Sequence, residues 1–144
     1  MSFGSIVAEY LKLARSFNMA LTGVAPVLAA LAMGETNLFR LVMFFLVGVG
    51  AHIYGFVLND YMDMRIDKLS TELSQRPLLS GTVTPNKALG FALGGLTMML
   101  VFGYLLVYGH PRVVVVLIIA AVLATIYNLI SKHLPGMDIF VAGA

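Results

Sequence analysis

Four long runs of apolar residues, separated by polar connections, decide most of what this chain can become. A helix needs about 17–25 mostly apolar residues to cross the hydrocarbon core of a bilayer. Residues 17–33, 38–58, 88–108 and 113–130 each meet that need. Inside hydrocarbon every backbone N–H and C=O must find an internal partner, so such runs predict helices. The expected fold is all-α: a polytopic membrane protein with four transmembrane helices. After Met137 another apolar stretch opens at residues 139–142, which reads as the start of a fifth. Composition agrees, because only 11% of residues are charged and the mean hydropathy is +0.94, whereas a soluble domain carries roughly a quarter charged residues. The chain has no cysteine, which excludes disulfides, thiolate metal sites and a cysteine nucleophile.

Residues 1–16 precede the first span. Ile6, Val7, Tyr10, Leu11 and Ala14 recur at helical spacing, with Glu9, Lys12 and Arg15 elsewhere on the surface. That pattern predicts an amphipathic helix lying in the membrane interface. Ala30-Leu31-Ala32 resembles a signal-peptide cleavage site, but the charge pattern works best with the first span retained. If the spans alternate, Lys12, Arg15, Arg65, Lys68, Arg76, Lys87 and Lys132 share one side, and Arg40 and Arg112 take the other. Seven against two places the N-terminus and the 59–87 segment in the cytoplasm, in the cell membrane. The basic residues are therefore topology signals, and no nucleic-acid partner is expected from the net charge of +2. Thr84-Pro85 predicts an N-cap and first helical position for the third span. Gly90, Gly94 and Gly95 within that span predict close helix packing.

The chemistry concentrates in Asn59-Asp60-Tyr61-Met62-Asp63-Met64-Arg65-Ile66-Asp67, which holds three of the seven acidic residues. Spacings of three and four put Asp60, Asp63 and Asp67 on one helical face beside Asn59. At about 6 Å and an effective dielectric near 20, each carboxylate pair repels by roughly 3 kcal/mol. A hard divalent cation relieves that repulsion, and Mg²⁺ typically takes one or two carboxylates plus phosphate oxygens and water. Asn59 can add a neutral oxygen or orient a metal-bound water. The plain alternative is a solvated helix end. Ionisable groups at the end of a membrane span favour the functional reading.

This segment resembles the first aspartate-rich motif of the UbiA superfamily of intramembrane prenyltransferases. Gln75-Arg76-Pro77-Leu78-Leu79-Ser80-Gly81, followed by Thr84-Pro85, is similar to that family's Arg-Pro-x-x-Ser-Gly loop. The resemblance covers essentially the whole chain, 1–144, as the N-terminal portion of one transmembrane prenyltransferase domain. It implies a bundle of about nine helices, with 59–87 as the catalytic loop. It also implies Mg²⁺-dependent transfer of an isoprenyl group from a prenyl diphosphate to a membrane-accessible aromatic, quinone-precursor or lipid acceptor. By the resemblance Asp60, Asp63 and Asp67 are metal and diphosphate ligands, with Asn59 beside them in catalysis. Arg76, and with it Arg65 and Lys68, are candidates for the diphosphate.

Tyr127 and Lys132 resemble a Tyr-x-x-x-Lys element of the family, with one extra residue between them. An interfacial tyrosine with a snorkelling lysine is the plain reading. Asn18 and Arg15 stand where members place polar residues for acceptor or diphosphate, though an interhelical hydrogen bond serves as well. His52 reads as a buried hydrogen-bonding residue. The family's second aspartate motif is absent from residues 1–144, so this segment alone is expected to be inactive. The competing functions are a cation-binding transporter segment, which favours carboxylates near mid-membrane and broken helices, and a non-catalytic membrane scaffold. A soluble terpenoid synthase is excluded by the spans.

Overall fold

The computed structural model describes residues 3–69, 71–108 and 111–130. They form five helices: α1 (Phe3–Leu13), α2 (Ser16–Ala32), α3 (Leu38–Asp67), α4 (Pro85–Leu106) and α5 (Pro111–Ile130). No strand occurs among the described residues. Lys132 and the apolar stretch at 139–142 lie outside them.

Helices α3, α4 and α5 are long and apolar enough to cross a membrane. The first predicted span is different. Its helix, α2, has 17 residues and rises about 26 Å, short of a hydrocarbon core about 30 Å thick. It counts as a crossing only together with α1, which meets it at a 63° bend. The described chain therefore has three candidate spans, or four with the bent pair.

Helix α3 is the opposite case. Its 30 residues rise about 45 Å, roughly ten residues more than a bilayer core needs. The apolar run ends near residue 58, yet the helix continues through Asp67 without a break. Tyr61, Met62 and Met64 keep packing against the core along this extension, which gives the polar segment a reason to stay helical. The connection to α4 is correspondingly shorter than 59–87 and covers residues 68–84.

The core is built where α3 passes between α2 and α4. Val57, Ala88 and Ala92 are fully buried, with Val49 and Ile53 nearly so. Small residues permit the approach. A Cβ on Gly48 would stand 2.7 Å from the Thr22 carbonyl oxygen, and one on Gly50 2.7 Å from the Gly95 oxygen. Of the three glycines expected to pack in α4, only Gly95 does so; Gly90 and Gly94 have nothing within 4 Å. The helical period explains the split, since Ala88, Ala92, Gly95, Met99, Gly103 and Leu106 are the buried positions of α4 and residues 90 and 94 fall on another face. Thr84 does cap α4, in extended backbone with Pro85 after it, but its hydroxyl makes no capping bond. Asn37 supplies the side-chain cap of α3, accepting from the Arg40 N–H at 3.1 Å. Helix α1 rests on α4 through an edge-to-face contact of Tyr10 with Phe91, 5.0 Å between centroids.

Candidate functional site

The projecting end of α3 carries all three aspartates. Asp60 and Asp63 are each only 7% exposed, and Asp67 is half-buried. Asn59 donates from Nδ2 to Asp63 Oδ2 at 3.1 Å, the i,i+4 geometry that the spacing implies. Burying a carboxylate is costly unless it is paired, and Asp60 is paired twice. Its Oδ1 accepts from Arg15 Nη2 at 2.8 Å and from Arg76 Nη1 at 3.4 Å. Arg76 Nη1 also donates to Asp67 Oδ2 at 2.8 Å. Two guanidinium groups thus stand against three carboxylates at one end of the helix bundle.

Each arginine is delivered by a distinct local structure. Arg15 is the hinge between α1 and α2, and it adopts the left-handed conformation, φ 48° and ψ 62°. That conformation costs about 1–2 kcal/mol for a residue with a Cβ. It turns the chain by 63° and aims the guanidinium at Asp60, 5.1 Å from the centroid of the Phe56 ring. Arg76 sits in the 68–84 connection, which folds back on the core through buried Leu78 and Val83. The Leu79 and Ser80 N–H groups both donate to the Arg76 carbonyl at 2.9 Å, and the Val83 N–H to the Pro77 carbonyl at 3.0 Å. Gly81, at φ +77°, allows that reversal. The family-like loop is therefore a compact turn, and its packing directs Arg76 toward α3.

Beside this charged group lies a cleft of about 490 Å³ between α2, α3 and α5. Arg15, His52 and Asn59 contribute polar atoms, while Ala51, Phe56 and Ala124 supply apolar wall, and Tyr127 and Asn128 face it from α5. His52 is buried and pinned. Its Nε2–H donates to the Ala14 carbonyl at 3.0 Å, and its Nδ1 faces Thr22 Oγ1 at 2.9 Å. The ring stacks on Phe56 at 4.2 Å. Fully engaged in this way, His52 is the buried hydrogen-bonding residue that its position suggests. It also anchors the carbonyl immediately before Arg15.

The predicted residues divide accordingly. The structure brings Asn59, Asp60, Asp63, Asp67 and Arg76 together and sets Tyr127 on the adjoining cleft. Arg65 and Lys68 are exposed at the end of α3. Asn18 is exposed and borders a neighbouring surface depression with Lys12, Arg15 and Ser16; its carbonyl accepts from Thr22 Oγ1. Lys132 lies outside the described residues. Sequence reasoning gave Arg15 too little weight, because nothing in a linear pattern shows that position 15 meets position 60. Phe56 and Asn128 it missed entirely, since both read as ordinary residues of apolar spans.

The donor set suits a hard divalent cation in its chemistry: carboxylate oxygens and one amide on a single helix face. Among the described residues no group of three or more acids or histidines converges as a ready ligand set. Arg76 stands between Asp60 and Asp67 instead. Both carboxylates bond that one nitrogen, and Asp60 is tied to Arg15 as well. Asp63 and Asp67, one turn apart on the same face as Asn59, suit an ion that takes one or two carboxylates and completes its shell with phosphate and water.

Comparison with known proteins points the same way. The profile of the UbiA prenyltransferase family matches residues 20–144. The chain is 30% identical over 111 residues to a 4-hydroxybenzoate octaprenyltransferase of Colwellia psychrerythraea, covering 77% of this chain and 38% of that relative. It is 28% identical over 149 aligned positions to a protoheme IX farnesyltransferase of Renibacterium salmoninarum, covering 99% of this chain and 45% of the relative. The apo structure of a UbiA homolog from Aeropyrum pernix shares the fold, with a TM-score of 0.61 at 20% identity over 90% of this chain and 43% of that one. The chain spans less than half the length of these curated relatives.

Proposed function

Because this chain belongs to the UbiA prenyltransferase family, we propose that it supplies the prenyl-diphosphate site of an integral-membrane prenyltransferase. The reading rests on one arrangement. A largely apolar cleft of about 490 Å³ opens beside Arg15 and Asn59, and Asp60 gathers two guanidinium groups at the same place. A prenyl diphosphate has matching parts, an apolar tail and a dianionic to trianionic head. The tail lies along Ala51, Phe56 and Ala124, and the head meets Arg15 and Arg76, whose planar forks suit phosphate oxygens. The acceptor is a lipophilic nucleophile of aromatic, quinone-precursor or lipid type that reaches the cleft from the bilayer. The excess of basic residues on one side puts this end of the bundle in the cytoplasm.

Asp63 and Asp67, with Asn59, are the residues that would hold Mg²⁺. When bound, the ion neutralises charge that develops on the departing diphosphate. The protein's own groups account for the rest. As the carbon–oxygen bond to the diphosphate breaks, both electrons leave on oxygen, where Arg15 and Arg76 stabilise them. The allylic carbon left behind is cationic. The ring of Tyr127, which lines the cleft, favours positive charge at its face. The apolar wall keeps water from capturing that carbon, so the acceptor forms the new bond and then releases its proton.

The test uses membranes containing the complete gene product, a radiolabelled farnesyl or geranylgeranyl diphosphate, Mg²⁺ and a panel of acceptors. Metal-dependent transfer is expected, and Asp63→Asn should lower it by about 100-fold or more. Wild-type rates from that variant, or transfer that is indifferent to chelator, would overturn the reading.

A further inference from the structure

The sequence pattern treats the three aspartates as equivalent, but the structure does not. Asp63 is bonded by the Asn59 amide, and Asp67 meets one guanidinium. Asp60 meets two, both on the same oxygen, and its side chain is 8% exposed against 35% for each arginine. We propose that Asp60 is a positioning residue that holds Arg15 and Arg76 side by side as a paired-guanidinium clamp for the diphosphate, and is not itself a metal ligand. The inference rests on the prenyl-diphosphate reading and refines the ligand set drawn from the sequence.

Three observations carry it. The two arginines come from segments far apart in sequence, the α1–α2 hinge and the 68–84 turn, and both converge on Asp60 Oδ1. Like charges at that separation repel, so a pair of guanidinium groups needs an anion between them to stay together when no ligand is bound. A buried carboxylate supplies it, and the partly exposed arginines keep donors available, since each guanidinium has five N–H groups. Arg15, moreover, holds a left-handed backbone conformation, φ 48°. A non-glycine residue persists there only where its surroundings over-determine it. Here the surroundings are Asp60, the Phe56 ring and the neighbouring Ala14 carbonyl fixed by His52. A metal ion at Asp60 Oδ1 would compete with both arginines for that oxygen; a clamp uses them where they are.

The clamp and a ligand role separate on two axes, anion affinity and metal requirement. In the complete protein purified in detergent, binding of inorganic diphosphate is measured by calorimetry in the presence of chelator. Transfer assays then give KM for the prenyl diphosphate and the Mg²⁺ concentration for half-maximal rate. Asp60→Asn keeps the shape of the side chain and removes the charge. It should weaken metal-free diphosphate binding and raise KM by about 10-fold or more, as expected when charged hydrogen bonds lose their organiser. Its half-saturating Mg²⁺ should stay near the wild-type value. Asp63→Asn should do the reverse. Arg15→Gln with Arg76→Gln should reproduce the loss of metal-free binding. Thermal unfolding of each variant separates misfolding from loss of the clamp, and Asp60→Glu, which keeps the charge, should recover most of the binding.

If Asp60→Asn raises the half-saturating Mg²⁺ as Asp63→Asn does and leaves metal-free binding intact, Asp60 is a ligand and the clamp is refuted while the prenyltransferase reading stands. If the wild type transfers no prenyl group but binds diphosphate in a way that needs both arginines and the Asp60 charge, the clamp stands and that reading fails. No metal-free binding by the wild type overturns the clamp.

Discussion

Arg15 shows how a single residue can be held in an unfavourable backbone state by its contacts. The left-handed conformation costs about 1–2 kcal/mol. A charge-assisted hydrogen bond to a buried carboxylate contributes about 1.5–3 kcal/mol, and a partly exposed cation–π contact about 0.5–1 kcal/mol. With the Arg15 side chain 35% exposed, the lower ends apply, and the contacts still match the strain. His52 supports the same hinge from beneath. Its replacement by leucine removes the Nε2–H bond and leaves the Ala14 carbonyl without its donor. His52→Leu should therefore destabilise the protein by about 1–3 kcal/mol, read as a lowered thermal midpoint in detergent. Metal-free diphosphate binding should weaken with it, because Ala14 precedes Arg15. An unchanged midpoint would show that the hinge does not depend on this histidine.

Among the helices, contact between α3 and α4 is decided by which glycines lie on the shared face. Gly50 and Gly95 let the two backbones meet, and a Cβ on Gly50 would stand 2.7 Å from both the Gly95 oxygen and the Met99 nitrogen. Backbone atoms cannot swing aside as a flexible side chain can. Gly50→Ala should therefore cost about 1–3 kcal/mol through forced separation of the helices. Gly94→Ala meets open space and gains helix propensity, so it should be neutral or stabilising by up to about 1 kcal/mol. Thermal unfolding of the two variants side by side measures the difference. Equal effects would mean that the close approach does not limit packing. Tyr54 of α3 reaches across to Thr125 of α5, and Asn128 of α5 donates to the Gly55 carbonyl of α3. These bonds hold α5 against α3 and so set one wall of the cleft.

At the scale of the molecule, the charged site and the cleft form one continuous feature because α3 is longer than a membrane is thick. Its surplus turns carry the aspartates out of the apolar layer, while the turns just before them, at His52, Gly55 and Phe56, line the cleft. An amphiphile with its head at Arg15 and its tail between α3 and α5 spans that boundary. The orientation is open to direct measurement: residues 1–144 contain no cysteine, so one placed there reports a single position of this segment once any cysteine outside it is replaced. Single cysteines placed at the exposed Glu72 and at the exposed Thr36 should react with a membrane-impermeant maleimide from opposite sides. Glu72→Cys should be labelled only from the cytoplasmic face, in inverted vesicles, and Thr36→Cys only in intact cells. The reverse pattern would place the aspartate end outside and overturn the proposed orientation.

By itself the sequence determined the membrane helices and the composition of the polar face, because both depend only on residue type and local spacing. The apolar runs required helices, since hydrocarbon offers the backbone no other partner. The three-and-four spacing put Asn59 and the aspartates on one face, and the loop motif singled out Arg76. Local periodicity could not reveal the bend that makes α2 a crossing only with α1, or the continuation of α3 through its polar end. Both depend on which residues find a packing surface. Nor could it rank three aspartates of identical chemistry. That ranking came from tertiary contact, when residues 15 and 76 closed on residue 60 and gave one buried carboxylate two cations to share.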